Sequence, residues 1–336
     1  MLRLIGHGLA ALVLAASGAA DPGGFSFADQ RIDEASALVT LPGDLFVTTN
    51  DSGDTGRVFT VDDHGETVGV TQWEEAPRDV EALAPASADG AAGMIWVGDI
   101  GDNNSDRPHI QVAEVPAGRG DRTVHPTVYT LVYPDGPHNA ETLLCDPATG
   151  RLYVATKGWL GGTLYAAPAH LDAHRDNRLT PVGAVMPLAT DGVFLPGGHE
   201  VLIRGYFSAT TYAWPSMDRI ASFPLPSQPQ GEGVGVEPDG TVYLSSEGLH
   251  SKVLRFELPA KAIASTGSAA GAASASGAAS ASGAASASGA PTTHAEPVEA
   301  DQQSADPTPT RWWEWGLGSL IALLILGVLV KALRRR

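Results

Sequence analysis

Cysteine is nearly absent from this chain. Cys145 stands alone, so no intramolecular disulfide can form and the fold must be held by its core. Cys145 ends the apolar run Thr142-Leu143-Leu144-Cys145 and reads as a small buried hydrophobe, because no His and Asn/Asp pattern of a thiol enzyme accompanies it. Basic residues are scarce as well, 21 Lys and Arg against 38 Asp and Glu, for a net charge of −17. A nucleic-acid partner, which needs a basic surface, is excluded on that balance. Neither a G-x-S-x-G elbow nor an H-E-x-x-H pair is present, and the histidines are scattered. His138 and His250 stand near expected site loops but read as loop residues rather than bases. Helix-period patterns are few, and uncharged apolar runs occur only near the two ends.

Those ends have distinct compositions. Residues 1–20 combine Arg3, an apolar run over 9–16 and small residues up to Ala20, the layout of a secretory signal peptide. Residues 312–333 hold Trp312, Trp313 and Trp315, then an uncharged stretch, then Lys331, and Arg334, Arg335 and Arg336 follow. This predicts a single transmembrane helix with an aromatic belt outside and a cytoplasmic basic tail at 334–336. The expected location is the cell membrane, with the N-terminal domain extracellular. Residues 261–311 carry a six-residue Gly-Ala-Ala-Ser-Ala-Ser repeat and then an acidic, Pro-containing stretch. Such a segment buries too little apolar area to order itself and predicts a disordered stalk, with an end-to-end distance of about 35–40 Å.

The folded part is expected over 21–260. Short runs rich in Val, Tyr, Thr and Leu alternate with turn residues and read as strands. Five segments repeat one pattern: an acid near the start, a strand, a turn, a second strand, a polar loop and a third strand. They begin at Glu34, Asp79, Asn139, Thr190 and Gly231. A fourth strand follows most of them, as TVYTLVYP does before the third start. Four strands per unit at this spacing predict an all-β chain folded as a β-propeller of four-stranded blades. Five blades are counted, or six if the long second repeat hides another. A β-sandwich is the alternative, but the recurring P-D-G and A-T-G turns between the first two strands favour the propeller. The last repeat lacks an evident fourth strand, and FSFADQRI near the N-terminus can supply it and close the ring.

Propeller topology places the loop before each innermost strand, and the loop between the second and third strands, on one face. The acids fall there. Glu34, Asp79 with Glu81, Glu141, Asp191 and Glu232 precede or open the inner strands, and Glu81, Glu141, Asp191 and Glu232 share one repeat position. Asp51, Asp99, Asp102, Asn103, Lys157, Arg204 and Glu247 fall in the second set of loops. Crowded carboxylates raise one another's pKa and need compensation. A hard cation such as Ca²⁺ is one source, with Glu81, Asp99, Asn103, Glu141, Asp191 and Glu232 as candidate ligands. Pairing with Lys157 and Arg204 is the other. Asp51, Asp102, Lys157, Arg204 and Glu247 are the candidate ligand-binding residues. Asp54, Asp62 and Asp102 can equally be turn caps.

The motifs NDSGD, D-x-E-A-L and VGDIGDN, followed by YPDGPHNAETLL and VATK, resemble a family of secreted bacterial β-propellers described as esterase-like or phytase-like. The match is specific over about residues 30–160. More distantly, the chain is similar to calcium-dependent lactonase and phytase propellers. The resemblance implies a central Ca²⁺ and hydrolysis of an ester or phosphoester. Only Glu81, Asp99, Asp102, Asn103 and Glu141 match the shared motif, so no catalytic base carries over. Two readings stay open: a metal-assisted hydrolase in which Lys157 and Arg204 hold an anionic substrate, and a non-catalytic propeller that binds a small anionic ligand or a surface protein at the same face. They differ on whether Lys157 and Arg204 are free to meet a substrate or only neutralise the ring.

Overall fold

The computed structural model describes residues 23–51, 53–86 and 93–263. The expected signal peptide (1–20), all but the first residues of the stalk (261–311), the transmembrane helix (312–333) and the basic tail (334–336) lie outside the described residues. Among the described residues, no helix is long and apolar enough to cross a membrane. The described residues belong to one compact unit.

The described chain is all-β apart from one short 3₁₀ turn. After β1 (Phe25–Ser26), blade one comprises β2 (Val39–Leu41), β3 (Leu45–Thr48), β4 (Arg57–Asp62) and β5 (Thr67–Trp73). Blade two comprises β6 (Val80–Pro85), β7 (Met94–Asp99) and β8 (Ile110–Pro116), then, after the short β9 (Arg122–Val124), β10 (Val128–Val132). Blade three comprises β11 (Ala140–Cys145), β12 (Leu152–Thr156) and β13 (Gly162–Ala166), then, after β14 (Asn177–Arg178), β15 (Thr180–Val185). Blade four holds β16 (Ala189–Phe194), β17 (Glu200–Gly205), β18 (Ser208–Ala213) and β19 (Asp218–Pro224). Blade five holds β20 (Gly231–Val236), β21 (Val242–Ser246) and β22 (Lys252–Phe256). The blades are antiparallel sheets, and the five inner strands β2, β6, β11, β16 and β20 neighbour one another around a closed ring. The protein is a five-bladed β-propeller, and the long second repeat hides no sixth blade.

In blade five the turn between the first two strands follows the expected chemistry. In Pro238-Asp239-Gly240, Gly240 has φ +90, a conformation open to glycine at no steric cost. The cores lie between blades, one at each interface. Val47, Val58, Leu83 and Ile95 pack between blades one and two, and Ile110, Leu131, Leu143 and Val154 between two and three. Tyr153, Leu164, Ile203 and Tyr212 pack between three and four, and Leu202, Phe223, Val234 and Leu244 between four and five. Phe25, Phe27, Phe46, Phe59 and Val253 close the ring.

Closure uses the N-terminal segment, as the sequence suggests. β1 pairs antiparallel with β22, Phe25 opposite Val253, and becomes the outer strand of blade five. Two strands were not foreseen. β9 leaves blade two to add in parallel to β5 of blade one, and β14 leaves blade three to add in parallel to β10 of blade two. Asp121 Oδ1 accepts the Val70 N–H at 3.0 Å, and Asn177 Nδ2 donates to Thr130 O at 3.0 Å, which pins both arms to their hosts.

Candidate metal centre at the acidic mouth

In blades two, three and five the expected acid position, Glu81, Glu141 and Glu232, falls in a β-bulge. In blade four that place is held by Thr190, and Asp191 stands one residue beyond it, regularly paired with Arg204, which corrects the expectation of one position shared by all four acids. The register of the inner strand shifts between Val80 and Ala82, Ala140 and Thr142, Ala189 and Asp191, and Gly231 and Val234. A bulge adds an unpaired residue and re-aims its side chain, so Glu81 and Glu141 leave the regular pleat. Blade one departs from the expectation. Glu34 is exposed, and the buried Ser36 sits beside Glu81 instead, its hydroxyl donating to Glu81 Oε2 at 2.8 Å.

Asp51, Asp79 and Glu81 form the tightest acidic group, each offering an oxygen within 4.8 Å of the others. Asp79 shares a side-chain hydrogen bond with Asp51, and its Oδ1 is buried with no hydrogen-bond partner among the described residues. Burial, together with the charges of Glu141, Asp51 and Asp79, pushes Glu81 up to about 10. Burial and the contact with Asp51 push Asp79 up to about 7. Asp79 and Glu81 resist joint ionisation, and a metal ion held by the three carboxylates would reverse that resistance by its charge.

The VGDIGDN segment builds the support for this group. Asp99 accepts the N–H groups of Arg78 and Asp79 at 3.0 and 2.9 Å and pairs with Arg107 at 2.7 Å. Arg107, itself buried, also donates to Gly101 O at 2.7 Å. Gly101 lies against the acids so closely that a Cβ there would fall 2.4 Å from the carboxyl carbon of Asp79 and 2.7 Å from Glu81 Cγ. Asp102 caps its turn by accepting the N–H groups of Asp106 and Arg107, as the turn-cap reading expects. Asn103 is exposed, and its Oδ1 accepts from Asn139 Nδ2 at 3.0 Å. Asp99 and Asn103, expected among the metal ligands, thus have other partners, and Asp99 holds the loop that carries Asp79.

Across the mouth, Lys157 Nζ lies 2.6 Å from Glu141 Oε1 and donates to Tyr206 Oη at 2.5 Å. Burial alone would lower the Lys157 pKa, but the adjacent Glu141 carboxylate more than offsets this and keeps the ammonium charged. Burial raises Glu141 to about 7 against the pull of Lys157. Burial and the Glu141 charge push Glu232 up to about 9, and burial also raises Glu247.

Asp191 and Arg204 lie deeper. Both are fully buried, which corrects the expectation of a ligand-facing Arg204. Arg204 Nη1 donates to the carbonyls of Gly233 and Ser245 at 2.9 and 3.1 Å. Asp191 accepts the N–H groups of Gly192 and Val234 at 2.8 Å each and that of Leu38 at 3.4 Å, tying blade four to blades five and one. Burial raises the Asp191 pKa and lowers that of Arg204 to about 10. The second-to-third-strand loops of blades three to five also carry exposed apolar side chains at the rim: Trp159, Leu160, Phe207 and Leu249.

Asp79 was placed on this face by the sequence but not counted among the ligands. The only signal was nearness in sequence, since Asp79 precedes β6 and the register shifts at Glu81, so strand alternation does not bring the two together. Ser36, Tyr206 and Arg107 carried no such mark.

Fold and site together define a five-bladed β-propeller with an acidic group able to hold a metal ion at one mouth. No protein-family model matches the chain, and no curated protein matches it. Two solved structures of glucose dehydrogenase are similar to it, each at 11% identity and a TM-score of 0.44, over 68% of this chain and 97% of that one.

Proposed function

We propose that the protein is a cell-surface binding module, tethered by its C-terminal segment with the propeller outside, that uses Ca²⁺ at the acidic mouth to bind an anionic ligand. The observation that carries this reading is the Asp51, Asp79 and Glu81 group, with Asp79 Oδ1 buried and unpartnered. Hard oxygen donors suit Ca²⁺, which takes six to eight oxygens, so three carboxylates leave room for a ligand's carboxylate or phosphate. Glu141 and Glu232 stand nearby as further carboxyl oxygens, Glu141 already paired with Lys157. The exposed Trp159, Leu160, Phe207 and Leu249 would flank such a ligand or the surface of a partner protein.

Binding is preferred to ester or phosphoester hydrolysis on the state of the two cations. Lys157 is paired with Glu141, and Arg204 is buried on backbone carbonyls, so neither is presented to an anionic substrate. The secreted-propeller resemblance keeps hydrolysis as the alternative, and a screen on esters, lactones and phosphate esters separates the two. The first test is thermal melting of the full chain. Ca²⁺ at a hundredfold excess over Kd is expected to raise Tm by about 5–10 °C, EDTA to reverse the rise and Glu81→Gln to remove it. A Tm indifferent to Ca²⁺ and EDTA would sink the metal site.

A further inference from the structure

The two ends of the central channel are built from opposite chemistry. Ser36, Glu81, Glu141, Asp191 and Glu232 crowd the mouth where the inner strands begin. Two residues after each of these stand Leu38, Leu83, Leu143, Val193 and Val234, all buried. They form the floor of a cavity of about 670 Å³ that opens on the far face, between the turns that end the inner strands. At the acidic mouth the sequence fills the ring with hydrogen-bonded side chains, Asp191 reaching the backbone of two other blades. Ring geometry therefore does not force an empty channel, and the aliphatic end holds this cavity.

We propose that this cavity is a second binding site, for a small apolar molecule without negative charge. Its volume falls in the range of small-molecule pockets, and its aliphatic floor gives water few of the two to four partners it needs. Trp214, held edge-on by Tyr153 and Phe194 at 4.7 and 5.0 Å between ring centres, supplies one aromatic wall. Among the described residues, the ionisable groups around the cavity are Cys145, Asp146, His199 and Glu237, and no Lys or Arg lines it. A carboxylate or sulfonate ligand would meet two acids and no fixed cation, whereas an uncharged or cationic apolar molecule would not be opposed.

Cys145 lines this cavity and is the sole cysteine, which makes it a reporter. The full chain, held in lipid nanodiscs, is treated with N-ethylmaleimide with and without the neutral probe N-phenyl-1-naphthylamine. At a probe concentration about four times its Kd, modification of Cys145 should slow about fivefold by mass action. The anionic 8-anilinonaphthalene-1-sulfonate should not protect. Val193→Phe, which narrows the floor, should remove the probe's effect, and a melting curve confirms that this variant folds. The share of tryptophan-to-probe energy transfer that disappears in Trp214→Phe, out of that from all seven tryptophans, is the second readout and decides the matter if Cys145 reacts too slowly to time. Equal protection by the anionic probe, or protection unchanged in a folded Val193→Phe, overturns the proposal. So does a chain in which the neutral probe changes neither readout, as when another segment of the chain already fills the cavity.

Discussion

Gly101 shows how closely the acidic mouth is fitted. A methyl group there would collide with the carboxyl of Asp79 at 2.4 Å, and the surrounding backbone is fixed by Arg107 and Asp99. Gly101→Ala is therefore expected to push Asp79 away from Glu81 while the blade cores, which lie elsewhere, keep the fold. The expected outcome is a loss of at least tenfold in Ca²⁺ affinity with about 1–2 kcal/mol lost in stability. Isothermal titration with Ca²⁺ and a urea melt measure the two, and unaltered affinity would refute the fit. At this scale the sequence was half legible. The repeat position of Glu81, Glu141 and Glu232 could be read, because the same strand start recurs, but in blade four it belongs to Thr190 and Asp191 follows it. Their different fates could not. Glu141 meets Lys157, which also bonds Tyr206, Asp191 meets the N–H of Val234 in another blade, and Glu81 meets Asp51 from a blade-one loop as well as its near neighbour Asp79, so most of these partners are distant in sequence.

Among the elements, β1 was legible because its absence was visible: the fifth repeat ran out of strands. Its grip is aromatic. Phe25 packs on Phe46 and Phe27 at 4.8 and 5.9 Å between ring centres, and Phe27 is fully buried. Phe27→Ala is expected to cost about 3–5 kcal/mol, because the cavity it leaves lies at the seam of the ring. The shift of the denaturant midpoint measures it, and a cost below about 1 kcal/mol would show that closure does not depend on this side chain. β9 and β14 were not legible. They are short and polar, and they pair in parallel with a neighbouring blade through Asp121 and Asn177, so neither alternation nor a hairpin turn marks them. The bulges were hidden for the same reason, since a bulge leaves the residue types of a strand unchanged.

For the molecule as a whole, the crowded carboxyls predict how stability depends on pH. In the folded chain Glu81 and Glu232 ionise near 10 and 9, and Asp79 and Glu141 near 7. Unfolded Asp and Glu ionise at about 4. Between those values the folded state holds protons that the unfolded state has lost, so stability is greatest in mild acid and falls as pH rises. Without Ca²⁺, Tm should fall steadily from pH 5 to pH 9, with Asp79 and Glu141 contributing mainly up to neutrality. Bound Ca²⁺ favours the ionised forms, so its apparent affinity should rise over the same span and flatten the curve. Melting curves across pH in EDTA and in Ca²⁺ test both trends, and an EDTA Tm that rises with pH would contradict them.

The seam between β1 and β22 also sets an order of events in biosynthesis. Phe25 is among the first residues of the propeller to be made, yet its partner Val253 is among the last. Until then blade five has no outer strand and the segment from Phe25 to Phe27 has no strand to pair with. Blades one and two likewise wait for β9 and β14 from the blade made after each. A ribosome-bound fragment therefore carries open sheet edges and an unplaced aromatic segment, and a chain stopped anywhere before Val253 cannot become a smaller stable propeller.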